Sequence, residues 1–365
     1  MPVFGLQQNT LYNVANHRIA NCAATPVHFA SVSVFIQENI QVKAVLCKQH
    51  GAPKDLVIED IAEPDMAADQ VRIAVKACGV NFPDILMIAG KYQIQPPLPF
   101  SPGAELSGEI LAVGDKIEHL NPGQRVLAMH GYGCMAEEVC LPAATIVPIP
   151  DSMDYVTAAS FILTYGTSYH ALKQRARLQR GETLLVLGAA GGVGLAAVEI
   201  GKLFGAEVFA AASTADKLQL AGQYGATHLI NYTETRLKEQ VKEMTAGRGV
   251  DVIYDPVGGD LFDDCLRSIA WGGRILVIGF ASGRIPAIPA NLPLLKGSSV
   301  VGVFWGQFTQ REPQTSLENT RELLQLFTEG KLKPHISATY PLEQAADALL
   351  ALAERRVMGK VVITI

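Results

Sequence analysis

From residue 42 to about residue 160, apolar and polar residues alternate in short runs that glycine and proline interrupt. Val71–Val75 alternates residue by residue, Gly108–Gly114 is an apolar run bounded by glycines, and Asn121–Gly123 has the composition of a turn. Such alternation is typical of half-buried strands. Frequent turns without a sustained helical period predict a compact, mostly antiparallel, barrel-like domain.

The middle of the chain, from about residue 161 to residue 306, alternates between strand and helix patterns. Thr183–Leu187 is a continuous apolar run, typical of a parallel strand that is covered on both faces. The further predicted strands are Glu207–Ala212, His228–Asn231, Val250–Asp255 and Arg274–Gly279, with helices at Leu218–Tyr224 and Arg236–Thr245. Repeated strand–helix units with short connections predict an α/β domain with a doubly wound parallel sheet.

The end of the chain has two amphipathic helix patterns, Leu317–Thr328 and Leu342–Arg355, followed by a strand at Lys360–Ile365. So little chain rarely forms a third domain, and we expect it to fold back on the first one. The predicted organisation is an antiparallel domain of residues 42–162 and 307–365 and a parallel-sheet domain of residues 163–306.

The first 41 residues differ from the rest, with no Asp or Glu before Glu38 and Arg18 as their only Lys or Arg. They lack the basic start and apolar core of a secretory signal and the several arginines of a mitochondrial presequence. We expect residues 1–41 to be a loose extension without a catalytic part.

Composition excludes several classes of function. The net charge of −5 and the absence of Lys/Arg clusters argue against a nucleic-acid-binding surface. No apolar run approaches the ~20 residues of a membrane span, so no membrane partner is expected. The six cysteines are scattered without a Cys-x-x-Cys pair, which indicates reduced thiols in a cytoplasmic protein.

A glycine-rich segment, Gly188–Gly194, follows the predicted strand Thr183–Leu187 and precedes a helix pattern. Glycines at such a junction allow a tight turn and let a pyrophosphate approach the helix N-terminus, whose free N–H groups and dipole favour negative charge. The strand before the loop, the helix after it and the next strand all match a dinucleotide-binding unit. The predicted cofactor contacts in this loop are Gly188, Ala190, Gly191, Gly192, Val193 and Gly194.

The end of the next strand bears on the choice between NADH and NADPH. NAD sites usually place Asp or Glu there to hold the ribose 2′-hydroxyl, whereas residues 211–212 are alanines. Asp216 lies beyond the strand, and we interpret it as a helix-capping residue. We therefore predict NADPH as the cofactor. The predicted contacts with the phosphorylated ribose are Ser213, Thr214, Lys217 and Tyr232.

Several segments, in the right order, resemble the medium-chain dehydrogenase/reductase superfamily and, within it, the quinone oxidoreductase group. They are Ala77–Asp84, Pro102–Gly108, Leu163–Thr164, the glycine loop, Asn231–Tyr232 and Gly359–Val362. The resemblance covers residues 42–365. It implies a Rossmann cofactor domain, with its doubly wound parallel sheet, and a GroES-like catalytic domain.

The superfamily's alcohol dehydrogenases hold a catalytic zinc, and the resemblance places Asn81, Ala104 and Leu163 at the three ligand positions. An amide, a methyl group and an isobutyl group do not provide the N, S or O donors that zinc needs. The alternative ligands His130, Cys134 and Cys140 lie along a turn and a strand without a fourth ligand. We therefore predict a metal-free protein.

The resemblance also implies roles for individual residues. Asn81 and Thr164 are expected beside the nicotinamide ribose and amide. Tyr92 is expected at the acceptor cleft, where it would donate a hydrogen bond or a proton, although a half-buried rim aromatic fits equally well. The remaining predicted cofactor contacts are Gly279, Phe280, Ala281, Phe304, Trp305 and Lys360. For Phe304 and Trp305, a core or dimer contact is the alternative.

Without a Lewis acid, acceptors that are already activated for hydride transfer are favoured. The expected reaction is hydride transfer from NADPH to a quinone or similar conjugated carbonyl. An enoyl-thioester or enone reductase and a non-catalytic NADPH-binding structural or regulatory protein are the alternatives. Ser299–Val303 is predicted to be an apolar edge strand, which favours a two-fold homodimer.

Overall fold

The structure is a computed structural model that describes residues 41–365 of the chain. The loose extension predicted for residues 1–41 therefore lies outside the described residues, apart from its last position. Within the part that is described, no helix is long and apolar enough to cross a membrane.

The alternating part of the sequence folds mainly into strands, as its pattern predicts. On the strand that begins at Gln70, Val71, Ile73 and Val75 are buried and the residues between them are partly exposed. The elements in this region are β1 (Gln41–Leu46), β2 (Val57–Ala62), β3 (Gln70–Val80), α1 (Phe82–Ile88), β4 (Glu105–Val113), β5 (Arg125–Met129), β6 (Glu138–Pro142), β7 (Ile146–Pro148) and α2 (Tyr155–Ala159).

The middle of the chain forms the predicted doubly wound Rossmann sheet. Its elements are α3 (Ile162–His170), β8 (Thr183–Leu187), α4 (Gly192–Leu203), β9 (Glu207–Ala212), α5 (Ala215–Tyr224), β10 (His228–Asn231), α6 (Leu237–Met244), β11 (Val250–Asp255), α7 (Leu261–Ser268), β12 (Ile269–Val277), α8 (Asn291–Lys296), β13 (Ser299–Gly302) and α9 (Trp305–Arg311). The strand order is β10-β9-β8-β11-β12-β13, with parallel neighbours throughout. The carboxyl ends of the central strands β8 and β11 therefore meet at one edge.

The end of the chain comprises α10 (Pro313–Thr328), β14 (Ile336–Pro341), α11 (Ala345–Ala353) and β15 (Lys360–Thr364). Strand β15 pairs antiparallel with β3 and parallel with β14. The second sheet therefore runs β14-β15-β3-β4-β5-β7, with β6 paired to β3 as well. This antiparallel, GroES-like domain thus takes its strands from both ends of the described chain.

The predicted boundary at residue 307 would place helix α10 in the antiparallel domain. The helix instead packs against the Rossmann domain. Its residues Leu323 and Leu324 are buried in the same core cluster as Leu184 and Val186 of β8. The helix packs on α3, at the side of the Rossmann sheet. An amphipathic pattern predicts that a helix buries one face, but it does not tell which domain covers that face.

Candidate active site

The glycine loop lies between the carboxyl end of β8 and the first turn of α4, at the centre of the parallel sheet. Gly188 has a left-handed φ of +56°, and the N–H of Gly191 donates to its carbonyl oxygen at 2.9 Å. A Cβ at Gly194 would lie 2.2 Å from that same oxygen, so glycine is required there. The turn leaves the first N–H groups of α4 available to an anion. The loop therefore fits the pyrophosphate of a dinucleotide.

The two domains meet at this loop. The N–H of Gly359, next to β15, donates to the carbonyl oxygen of Ala190 at 2.7 Å. A Cβ at Gly192 would lie 3.1 Å from Cδ of Lys360 and 3.1 Å from Cγ2 of Thr164. The predicted cofactor loop, Thr164 and the carbon stem of Lys360 are thus in direct contact.

Beyond β9, Thr214 caps helix α5, because its hydroxyl oxygen accepts the N–H of Lys217 at 3.4 Å. Asp216 was predicted to be the cap, and that prediction is wrong: this residue lies exposed in the first turn. Thr214 precedes the helix in extended backbone, the conformation that capping residues adopt. Its hydroxyl proton stays free to donate to a phosphate.

Arg355, which was not among the predicted contacts, joins this region to the segment after β12. The Lys217 ammonium donates to the carbonyl oxygen of Arg355 at 3.4 Å, and the Arg355 guanidinium donates to the carbonyl oxygen of Ala281 at 3.0 Å. Tyr232 lies alongside, since its N–H donates to Ala212 at 3.4 Å. Two positive charges therefore lie where the sequence predicts a phosphorylated ribose.

The segment after β12 runs beside the carboxyl end of β11. The N–H of Gly279 donates to the carbonyl oxygen of Asp255 at 3.4 Å, and that of Ala281 donates to Pro256 at 3.0 Å. The Phe280 ring lies against Gly258, since a Cβ there would be 3.0 Å from its Cδ1. Half-buried Gly279, Phe280 and Ala281 thus follow β12 at the sheet edge that carries the glycine loop.

The two predicted aromatic contacts, Phe304 and Trp305, point to different surroundings. Phe304 precedes α9 and is 50% exposed, so its ring is accessible to a ligand. Trp305 is only 7% exposed, and a Cβ at Gly166 of α3 would lie 2.5 Å from its ring. We correct the assignment of Trp305: it packs in the core between α9 and α3. An apolar pattern does not distinguish a cleft aromatic from a core aromatic.

A buried polar network lies where the antiparallel domain faces α3. The Asn81 amide donates to Glu105 Oε1 at 2.8 Å and to the carbonyl oxygen of Gly79 at 3.2 Å. Its oxygen accepts from the Lys360 ammonium at 2.6 Å. Glu105 Oε2 accepts the N–H of Leu163, next to Thr164, at 3.0 Å. In the sequence, Glu105 is visible only as part of the Pro102–Gly108 motif, and its network with Asn81, Leu163 and Lys360 was not predicted.

This network changes the predicted role of Lys360. Its ammonium also donates to Glu105 Oε1 at 2.9 Å and to the carbonyl oxygen of Val80 at 2.8 Å. Three acceptors use all three donors of an ammonium group. Lys360 therefore contacts the cofactor loop through its carbon stem, and its charge is directed away from the loop. The amide protons of Asn81 are likewise occupied.

Asp84 lies in the first turn of helix α1, next to Asn81, and Tyr92 follows the end of this helix. Asp84 Oδ2 accepts the N–H of Asn81 at 2.7 Å, and burial raises the pKa of Asp84 to about 7. Burial and the nearby Asp84 carboxylate raise the pKa of the half-buried Tyr92. The Tyr92 hydroxyl is therefore protonated at neutral pH and able to donate a hydrogen bond.

The three positions of the superfamily's zinc ligands converge, but their donors do not fit a metal. Glu105 contacts both Asn81 and Leu163, and Ala104 directly precedes it. No cluster of three or more His, Cys, Asp or Glu side chains within residues 41–365 is arranged to hold a metal ion. The alternative ligand Cys134 is fully buried, and burial raises its thiol pKa, which opposes the thiolate that zinc binds.

Comparisons with known proteins identify the family. A family model described as an alcohol dehydrogenase GroES-like domain matches residues 67–151, and one described as a zinc-binding dehydrogenase matches residues 192–325. The quinone oxidoreductase-like protein 2 homolog of Nematostella vectensis is 46% identical over 325 residues, covering 88% of each chain. The chain belongs to the quinone oxidoreductase-like family.

Solved structures of this family have the same fold. A quinone oxidoreductase of Pseudomonas syringae is 30% identical, with a TM-score of 0.84 over 89% of this chain and 100% of that one. The Escherichia coli quinone oxidoreductase, solved in complex with NADPH, is 28% identical, with a TM-score of 0.83 over 89% and 99%. The resemblance to medium-chain dehydrogenases of the quinone oxidoreductase group is thereby confirmed, as are the Rossmann and GroES-like folds.

Proposed function

We propose that this member of the quinone oxidoreductase-like family transfers hydride from NADPH to a quinone or a similar conjugated carbonyl, without a metal. The observation that carries the proposal is the position of the glycine loop. Gly192 contacts Thr164 and the stem of Lys360 at the junction of the two domains. A dinucleotide on α4 would therefore extend into the cleft that Asn81 and Tyr92 border.

The chain's own residues would bind and orient the two reactants. The N–H groups of α4 would hold the pyrophosphate, and Lys217 and Arg355 would hold the 2′-phosphate. Bound NADPH would supply the hydride, so the protein's contribution is orientation and exclusion of water. The protonated Tyr92 would donate a hydrogen bond to the acceptor oxygen.

A zinc ion does not fit this site. Asn81, Ala104 and Leu163 occupy the ligand positions, and the Asn81 oxygen accepts from the Lys360 ammonium at 2.6 Å. Acceptors that need little polarisation are therefore favoured, which supports quinones over saturated ketones and aldehydes. An enoyl-thioester or enone reductase uses the same cofactor geometry and remains the alternative acceptor class.

We propose that the partner is a second copy of this chain, paired through the edge of the Rossmann sheet. Strand β13 is the last strand of this sheet. Beside it, Trp271, Leu294 and Leu295 are 79%, 78% and 69% exposed. Large apolar side chains next to an open strand edge favour pairing across a two-fold axis.

We propose a cytoplasmic location on the basis of the cysteines. Cys47, Cys78, Cys134, Cys140 and Cys265 are unpaired among the described residues. Free thiols are typical of a reducing compartment.

The function can be tested with purified protein and an acceptor panel. NADPH consumption would be measured with para-benzoquinone, an ortho-naphthoquinone, a conjugated enone, an enoyl-CoA and a saturated aldehyde. The quinones are expected to react fastest and the saturated aldehyde not at all. Faster reduction of the enoyl-CoA would favour the alternative enzyme, and NADPH binding without any turnover would favour a non-catalytic protein.

A further inference from the structure

Lys360 holds a positive charge in the interior of the protein, and all of its hydrogen-bond donors have partners. Its Nζ lies 2.6 Å from Asn81 Oδ1, 2.8 Å from the Val80 carbonyl oxygen and 2.9 Å from Glu105 Oε1. The Lys360 side chain is 6% exposed and that of Glu105 is 0% exposed. A buried charge needs such partners to offset its loss of hydration.

Glu105 extends this contact to the Rossmann domain. Its second oxygen, Oε2, accepts the N–H of Leu163 in the first turn of α3 at 3.0 Å. Phe161, at the N-cap of this helix, makes no side-chain capping bond. A carboxylate from the antiparallel domain therefore satisfies one free N–H and complements the helix dipole.

Gly79, on β3, leaves room for the Glu105 carboxylate. A Cβ at Gly79 would lie 2.6 Å from Glu105 Oε1 and 2.1 Å from the Ala159 carbonyl oxygen. Any larger residue at position 79 would displace Glu105 from Asn81. This would break the hydrogen bond that the Asn81 amide donates to Glu105 Oε1 at 2.8 Å. The glycine two residues before Asn81 is thus part of the same arrangement.

The ion pair connects three elements that surround the proposed hydride-transfer site. Lys360 belongs to β15, Glu105 to β4, and Leu163 to α3. Thr164, the residue after Leu163, contacts Gly192, and so does the Lys360 stem. The positions of α3 and of the cofactor loop are therefore both tied to one buried pair.

We propose that the Lys360–Glu105 pair is a positioning device for the proposed hydride-transfer site. The pair orients the Asn81 amide, because Lys360 donates to the amide oxygen and Glu105 accepts one amide N–H. It also fixes Thr164 relative to the glycine loop. The pair does not contact the acceptor. This inference rests on the proposed NADPH-dependent reduction, whose geometry the pair would set.

Removing one partner alone leaves a buried, uncompensated charge and would mainly unfold the protein. The informative variant is therefore the double substitution Glu105→Gln/Lys360→Met, which replaces both charges by neutral groups of similar size. We expect its midpoint of thermal unfolding to stay within about 5 °C of wild type. Its kcat with NADPH and a quinone should fall at least about tenfold, whereas its Kd for NADPH should change less than about threefold.

The split between kcat and Kd separates positioning from a purely structural role. The matched control is Glu182→Gln/Arg274→Met, which neutralises a second ion pair, at 2.7 Å, near the amino end of the parallel strands. This control should keep the wild-type kcat. Asn81→Ala leaves the pair in place and should lower kcat about as much as the Glu105/Lys360 double variant does.

A double variant with wild-type kcat would overturn the inference, as would an Asn81→Ala variant with wild-type kcat. A kcat loss as large in the Glu182/Arg274 control would also overturn it. The wild type is assayed first with the same quinone. If the wild type binds NADPH but reduces no acceptor, the proposed function fails. If the wild type is active and the variants are equally active, only the positioning inference fails.

Discussion

The Lys217 ammonium donates to the backbone carbonyl of Arg355 at 3.4 Å, which brings together two cationic residues that lie 138 positions apart in the chain. Lys217 is in the first turn of α5, and Arg355 follows α11. Arg355 in turn contacts the segment after β12 through Ala281. The region beyond β9 is therefore more basic than the sequence around residue 213 indicates.

Removing this charge should alter the choice of cofactor. We predict that Lys217→Ala weakens NADPH binding by roughly 1.5–3 kcal/mol, the contribution of a charge-assisted hydrogen bond, and leaves NADH binding little changed. Fluorescence titration with both cofactors would measure it. Lys242→Ala, on the exposed face of α6, is the control and should change neither. Equal losses for NADPH and NADH would contradict the assignment of the phosphate site.

Asp84 predicts a pH dependence of stability. Its pKa is raised by burial from 3.8 to about 7, so the folded state holds this proton more tightly than the unfolded state. The stability from protonated Asp84 is complete below about pH 4 and is lost as the pH rises through about 7. Asp84→Asn keeps an acceptor for the Asn81 N–H and does not ionise.

We predict that Asp84→Asn is more stable than wild type by roughly 2–4 kcal/mol at about pH 8, and that the difference vanishes near pH 4. Denaturant unfolding across this pH range would measure it. Asp151→Asn, at an exposed position, is the control and should follow the wild type. A difference that does not vary with pH would argue that the substitution acts through packing alone.

The proposed dimer can be tested at the edge of the Rossmann sheet. Leu294→Glu/Leu295→Glu places two charges on the exposed apolar surface beside β13. Light scattering should report a dimer for wild type and a monomer for the variant, because desolvating two carboxylates opposes the contact. Leu111→Glu, at an exposed position of β4, should remain dimeric. A monomeric wild type would contradict the proposal.

Tyr92 should matter more for enones than for quinones. Hydride addition to an enone builds an enolate, which the Tyr92 hydroxyl would stabilise, whereas quinol oxygens are readily solvated. Tyr92→Phe is therefore predicted to lower kcat/KM for a conjugated enone about tenfold and for para-benzoquinone less than about threefold. A larger loss with the quinone would remove Tyr92 from this role.

The glycine loop could be predicted from sequence because its signal is contiguous. Residues 188–194, the strand before them and the helix after them lie together in the chain and have a local pattern. The Rossmann sheet followed from the same kind of pattern repeated along the middle of the chain. The cap of α5 was missed by two residues, since Thr214 and Asp216 are both acceptable capping residues.

The polar network could not be predicted, because its partners are far apart in sequence. Lys360 and Asn81 are 279 residues apart, and Lys360 and Glu105 are 255 apart. Their pairing depends on β15 joining β3, which no local pattern specifies. The prediction of Trp305 as a cofactor contact was wrong for a related reason. Whether an aromatic residue after a strand faces a cleft or the core depends on the helix that packs on it.

The absence of a catalytic metal can be tested by composition. Asn81, Ala104 and Leu163 predict that purified protein contains no stoichiometric zinc. Elemental analysis of freshly purified, untagged protein would measure it. About one zinc ion per chain would show that other residues complete a metal site.

The most direct test of the account is the rate of NADPH-dependent para-benzoquinone reduction before and after exhaustive chelation. We expect equal rates, together with no oxidation of simple alcohols by the same protein, because hydride transfer in this cleft relies on orientation. A rate that is lost on chelation and restored by zinc, or rapid alcohol oxidation, would contradict the metal-free mechanism.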